Sequence, residues 1–221
     1  MDRSTLAKYL DFANHHPEST PEDICRLCQK VEEFGFHTAF VNPCYVSLAK
    51  ETLAGKAQVG TVVAFPLGQE TQDIKILTSL KAVDQGADEL DISINVGWLK
   101  SGQSDKALAE MKAIVEAVKN LKKKTVVKFI IETGLLTDDE IKKASEIVLS
   151  SGADFVKTNS GMGPRGASLK DVELVKSAVG DKIKIKVAGG VDTLKEALDF
   201  IKAGVSRIGT SKAIEIIKEL K

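Results

Sequence analysis

Two spacings of apolar residues alternate along the chain. Short runs in which every residue or every second residue is apolar lie at 38–41, 59–65, 90–94, 126–133, 155–157, 183–188 and 207–209. Between them are longer stretches in which apolar residues recur every three or four positions, at 72–85, 104–121, 138–150, 169–179 and 194–203. In the second of these, Ala107, Leu108, Met111, Ile114, Val115 and Val118 fall on one face of a 3.6-residue period. The first spacing predicts strands and the second amphipathic helices. The junctions resemble one another. Gly35, Gly86, Gly152 and Gly204 each stand where a helical pattern stops, and a strand follows within a few residues. A glycine there closes a helix in the left-handed conformation at little cost.

Seven strand–helix units follow from this rhythm. A weaker strand at 10–13, after a short helix starting near Ser4, makes an eighth. Such alternation implies parallel strands joined by right-handed crossovers. Eight units in 221 residues predict an α/β fold, a (β/α)8 TIM barrel with a short N-terminal helix, in a single domain over 1–221. A doubly wound open sheet is the competing fold. It calls for a glycine-rich dinucleotide fingerprint after the first strand, and the chain has none.

In a barrel, alternate strand residues point inward, and chemistry gathers at the C-terminal strand ends. The inward positions are expected to be bulky aliphatics. Instead the alternation turns Glu89, Asp91, Ser93 and Asn95 inward on one strand and Lys128, Ile130 and Glu132 on the next. It also turns Phe155, Lys157 and Asn159 inward, and Lys184 and Lys186. Buried charge is costly unless paired. One reading is a structural ion network of Glu89, Asp91, Lys128, Lys184 and Lys186 without chemistry. The other is an active site built on Asp91, Lys157 and Lys186, since perturbed groups gather at such sites. A second ammonium ~4 Å away costs about 4 kcal/mol at an effective dielectric of ~20, or roughly three pKa units. That brings one amine close to neutrality and able to attack a carbonyl. The resulting imine is an electron sink for making or breaking a carbon–carbon bond, with a carboxylate nearby to move protons. This is the chemistry of a class I aldolase or transaldolase, and it requires no metal and no cofactor. Gly189-Gly190 ends one of the last two strands, and Gly209-Thr210-Ser211 ends the other, before a helix at 213–220. Backbone N–H groups of these turns, aided by the helix start, suit a phosphate monoester.

Composition narrows the field further. Lys+Arg and Asp+Glu are 31 each, so the net charge is zero, with no basic surplus for a nucleic acid. No apolar run approaches the ~18 residues that span a bilayer, and the first 14 residues lack an export-signal pattern. A cytoplasmic enzyme acting on small molecules is expected. Cys25, Cys28 and Cys44 do not form a disulfide framework. Cys25 and Cys28 lie on a helix opened by Thr20-Pro21, without the second pair or histidine of a zinc site. His15, His16 and His37 have no ligand spacing, so no metal is assigned.

At Phe40-Val41-Asn42-Pro43, Thr61 to Gly68, Gly86 to Asp91, Ile130 to Thr133, Gly152 to Thr158 and Lys186 to Val191, the chain resembles the deoxyribose-phosphate aldolase family. The resemblance covers nearly the whole chain. It implies a (β/α)8 class I aldolase that reversibly cleaves 2-deoxy-D-ribose 5-phosphate to acetaldehyde and D-glyceraldehyde 3-phosphate. It makes Lys157 the Schiff-base lysine, Lys186 the lysine that tunes it, and Asp91 the carboxylate that moves protons through a water. It places Thr158 on the pocket wall and Gly189, Gly190, Gly209 and Ser211 on the phosphate, in a homo-oligomer, a dimer or tetramer. The chain departs from the family pattern at Asp11-Phe12-Ala13, where a hydroxyl is missing, and at Asn159-Ser160. Arg165 is open to two readings, a phosphate contact or a solvated side chain. The chain ends Glu219-Leu220-Lys221, without the C-terminal tyrosine of some members. A metal-free sugar-phosphate isomerase and a non-catalytic sugar-phosphate binder are the alternatives; the paired lysines with their carboxylate speak against both.

Overall fold

The computed structural model describes residues 1–220; Lys221, the last residue of the expected domain and chain ending, lies outside them. Eight parallel strands close into a barrel in chain order: β1 Leu10–Asn14, β2 Thr38–Val41, β3 Gln58–Val63, β4 Glu89–Ser93, β5 Val126–Ile130, β6 Phe155–Lys157, β7 Lys184–Ala188 and β8 Arg207–Thr210. β1 pairs with β8, Asp11 opposite Gly209, so the ring has no free edge.

Local chemistry explains the alternation. The helix Pro21–Phe34 opens with a capping box between Thr20 and Asp23 and ends at Gly35, which has φ 68°. The same box opens Asp138–Ser150 with Thr137 and Glu140, and Leu194–Lys202 with Thr193 and Glu196. The outward faces of the strands, including Val41, Ile92, Phe129, Val187 and Ile208, pack with the helices into the hydrophobic core. That face carries the burial energy, which frees the inner face for polar groups.

Several boundaries differ from expectation. The strand expected over 126–133 ends at Ile130, because Glu132 turns left-handed (φ 52°) and Thr133–Leu135 forms a short 3-10 turn. The strand expected over 59–65 ends at Val63, ahead of Ala64 at φ 52°. Asn95 does not extend β4. Its side chain accepts from the Trp98 N–H and caps the helix Val96–Lys100. The last helix is Ala213–Glu219, one residue shorter than expected. Among the described residues no helix is long and apolar enough to cross a membrane.

Candidate active site

The inner face carries the charges that strand alternation predicts, with one exception. Lys184 is the first residue of β7 and is exposed, so it takes no part in the ion network. Its place is taken by two groups the sequence reading did not include, Asp11 from β1 and Arg207 from β8. Alternation would have found both: Asp11 shares a face with Ala13, and Arg207 with Gly209.

Register builds the cluster. Asp91 lies opposite Lys128 across β4–β5, and Lys157 opposite Lys186 across β6–β7. Asp91 stands at the centre, fully buried. Its Oδ1 accepts from Lys128 Nζ at 3.0 Å, and its Oδ2 lies 2.8 Å from both Lys157 Nζ and Lys186 Nζ. Lys186 Nζ also lies 2.7 Å from Asp11 Oδ2, and Arg207 donates to Asp11 Oδ1 at 2.9 Å. Glu89 closes the network onto Lys128 and Arg207. Two glycines make the room. A Cβ on Gly209 would stand 3.1 Å from Lys186 Cε, and one on Gly60 would overlap the Phe40 ring. That ring lies 3.6 Å from Lys186 Nζ, a cation–π contact.

The cluster holds four cations, Lys128, Lys157, Lys186 and Arg207, against three carboxylates, Asp11, Glu89 and Asp91. The surplus is relieved at Lys186. Burial is the main cause that brings its amine down to about 8; Lys128 and Lys157 push the same way, and Asp11 and Asp91 oppose them. Desolvation therefore does more than the neighbouring ammonium that the sequence reading relied on. Burial alone would raise the Asp91 carboxyl, but Lys128, Lys157 and Lys186 hold it well below the usual range. Asp11 is held down likewise, against its burial, by Lys186 and Arg207.

Above the cluster opens a cavity of about 220 Å³. Lys157 and Lys186 border it, as do Gly189, Gly190, Gly209 and Ser211, so six of the expected site residues meet in one place. Asp91 sits beneath, reaching the cavity through the two amines. Thr158 lies apart from these six. It follows Lys157 on the opposite face, is fully buried with its hydroxyl unpaired, and does not border the cavity. Arg165 is exposed, as the solvated reading has it, and does not border the cavity, yet it is not free. It grips Asp171 at 2.8 Å and the Thr133 carbonyl at 3.2 Å, pinning the loop after β6. Asn159 joins the same brace, accepting from Thr133 Oγ1 at 3.0 Å. The departure at Asn159 is thus a loop-fixing change, away from the amines.

His15 borders the cavity beside Ala13 and was not singled out as a site residue. Its ring lies 5.4 Å from that of Phe65, and burial, followed by the charge of Lys157, pushes it down to about 3. It is a neutral imidazole facing the amines. No three His, Cys, Asp or Glu side chains among the described residues are grouped to hold a metal ion.

A family model described as DeoC/LacD family aldolase matches residues 1–211. The chain is 43% identical over 216 residues to a deoxyribose-phosphate aldolase of Thermococcus gammatolerans, covering 96% of this chain and 95% of that one. It is 42% identical to one of Dictyoglomus turgidum over 100% and 99% of the two chains. Among solved structures, the aldolase QR15 superposes with a TM-score of 0.91 at 40% identity, covering 97% of this chain and 95% of that one. A tetrameric deoxyribose phosphate aldolase of Aeropyrum pernix superposes with a TM-score of 0.90 at 28% identity, over 99% and 92%.

Proposed function

The chain belongs to the DeoC/LacD family of aldolases, and on that premise we propose that it cleaves 2-deoxy-D-ribose 5-phosphate reversibly through an imine on Lys157. The observation that carries this reading is the pair of amines held on one oxygen of Asp91 beneath the cavity. Lys157 has that single partner, whereas Lys186 is enclosed by Asp11, Asp91 and the Phe40 ring. Lys157 is therefore the amine free to swing onto a carbonyl. Lys186, titrating near 8, takes its proton across Asp91 Oδ2.

The neutral Lys157 amine adds to the C1 aldehyde and loses water to give a protonated imine. A base removes the proton of the C3 hydroxyl, and the C2–C3 bond breaks. Its electron pair moves into the iminium to give an enamine, and glyceraldehyde 3-phosphate leaves. Protonation at C2 and hydrolysis release acetaldehyde and restore the lysine. Proton transfer fits Lys186 better than Asp91, the group named by the resemblance. A carboxyl under three ammonium groups is a weak base, while an amine near 8 gives and takes protons at neutral pH. Asp91 is then the fixed anion that aligns the two amines. Gly189, Gly190, Gly209 and Ser211 border the cavity, where backbone N–H groups would meet the phosphate. The tetrameric Aeropyrum pernix neighbour supports a homo-oligomer, and the substrate supports a cytoplasmic role in the breakdown of deoxyribose phosphate from nucleosides.

The test is a coupled assay for glyceraldehyde 3-phosphate. Release from deoxyribose 5-phosphate is expected; saturable binding with no release identifies a non-catalytic binder instead.

The pH dependence has a definite sign. Lys186 must be neutral to accept a proton, so kcat/KM rises as pH passes through about 8. In Asp11→Asn the anion that favours the Lys186 ammonium is gone, and the rise moves to lower pH by about one unit. An unmoved profile detaches the rise from Lys186. The same shift links to stability. Between about 8 and the ordinary lysine value the unfolded chain binds the extra proton, so this amine's contribution to stability grows as pH rises through that window.

A further inference from the structure

A second cavity, of about 490 Å³, opens beside the first over the ends of β4 and β5. Leu67, Ile94, Val96 and Leu135 form much of its wall. The charged groups that reach it are already engaged. Lys100 pairs with Glu140 at 3.2 Å, and Glu132 accepts from the Ser160 N–H at 3.0 Å. The hydroxyl of Ser93 is not. Ser93 is 2% exposed, borders the cavity, and its Oγ has no hydrogen-bond partner. A buried hydroxyl left unpaired is unfavourable. An ordered water needs two or more polar partners, and this apolar wall offers few.

We propose that this cavity binds a neutral aliphatic molecule through one oxygen held by Ser93, with its chain against Leu67, Val96 and Leu135. Engaged charges and apolar walls select against ions, and one unpaired hydroxyl selects a single polar end, since Ser160 Oγ already accepts from the Met162 N–H. Ser160 and Met162 border both cavities. The occupant is therefore either the aliphatic arm of a carbonyl compound reaching Lys157 or a separate small molecule beside it. Binding requires no amine chemistry, so it stands or falls apart from the aldol reaction.

The probes are 1-hexanol and 1-octanol, which cannot form an imine. Calorimetry gives the affinity. Fluorescence of Trp98, the one tryptophan of the chain, reports occupancy from the helix Val96–Lys100 that helps wall the cavity. Saturable binding is expected, tighter for octanol by roughly fourfold per added methylene. Ser93→Ala weakens it about tenfold. Leu67→Asp removes it while leaving retro-aldol turnover intact; Leu67 is 73% exposed, so the fold tolerates the change. Absence of saturation, equal affinity for the two alcohols, or affinity unchanged in both variants overturns the site. With deoxyribose 5-phosphate as substrate, octanol raising KM alone marks the substrate-arm occupant, and an unchanged KM marks the separate molecule.

Discussion

Lys157→Leu loses turnover of deoxyribose 5-phosphate by at least about 10⁴-fold, because the covalent route disappears with the amine. The same variant fails to gain an ethyl group when treated with acetaldehyde and borohydride, whereas the wild type gains one, on Lys157. The change leaves the fold intact. The barrel interior holds more cations than carboxylates, and Asp91 keeps Lys128 and Lys186 when Lys157 is gone. Removing the least enclosed of the three lysines relieves repulsion, and Leu replaces the aliphatic stem of Lys157 with another apolar side chain. Lys186→Leu is the informative companion. It retains Lys157 but loses the group that accepts its proton, so trapping slows and the rise in rate near 8 vanishes. An adduct that forms on Lys186 in the wild type and survives in Lys157→Leu reverses the two roles and sinks the assignment.

The barrel was legible because its signals are local. Gly35 ends a helix, Thr20 and Asp23 start one, and the 3.6-residue period of 104–121 needs no distant partner. The inward Asp91, Lys157 and Lys186 were legible for the same reason, since strand alternation alone decides which face a residue takes. What escaped depends on closure. Asp11 and Arg207 are 196 residues apart and meet only because β1 pairs with β8. Lys184 obeys the same alternation as Lys186, yet two residues along the strand separate solvent from a closed interior. The spacing of charges along the chain carries no depth. The main cause of the lowered amine is hidden for a related reason. Repulsion between two lysines is visible in a sequence, but desolvation, the larger cause at Lys186, belongs to the packed barrel.

Asp91→Ala is expected to damage stability as well as activity. In the wild type one carboxylate faces three ammonium groups, at 3.0, 2.8 and 2.8 Å. Each of the four residues is at most 3% exposed. Removing the anion leaves buried positive charge without its partner, a change that costs about 3–5 kcal/mol. For a chain of this size that lowers Tm by roughly 6–20 °C. The sign of the pH dependence separates this cause from a simple cavity. Asp91 favours the Lys186 ammonium, so without it that amine falls below its wild-type value of about 8. The penalty is greatest where the lysines must stay charged and shrinks as alkali removes their protons. The gap in Tm between wild type and Asp91→Ala should therefore narrow from pH 7 to pH 9. A lost volume costs the same at both, so a gap that stays constant assigns the damage to packing. Turnover distinguishes the roles further. If Asp91 only aligns the amines, Asp91→Asn keeps the side-chain volume but, like Asp91→Ala, loses the shared anion, so it is assayed below its lowered Tm. Its borohydride adduct on Lys157 then forms slowly and recovers with rising pH, as hydroxide takes the proton that a no longer aligned Lys186 does not. Were Asp91 itself the base, raising the pH would recover adduct formation but leave the retro-aldol step slow.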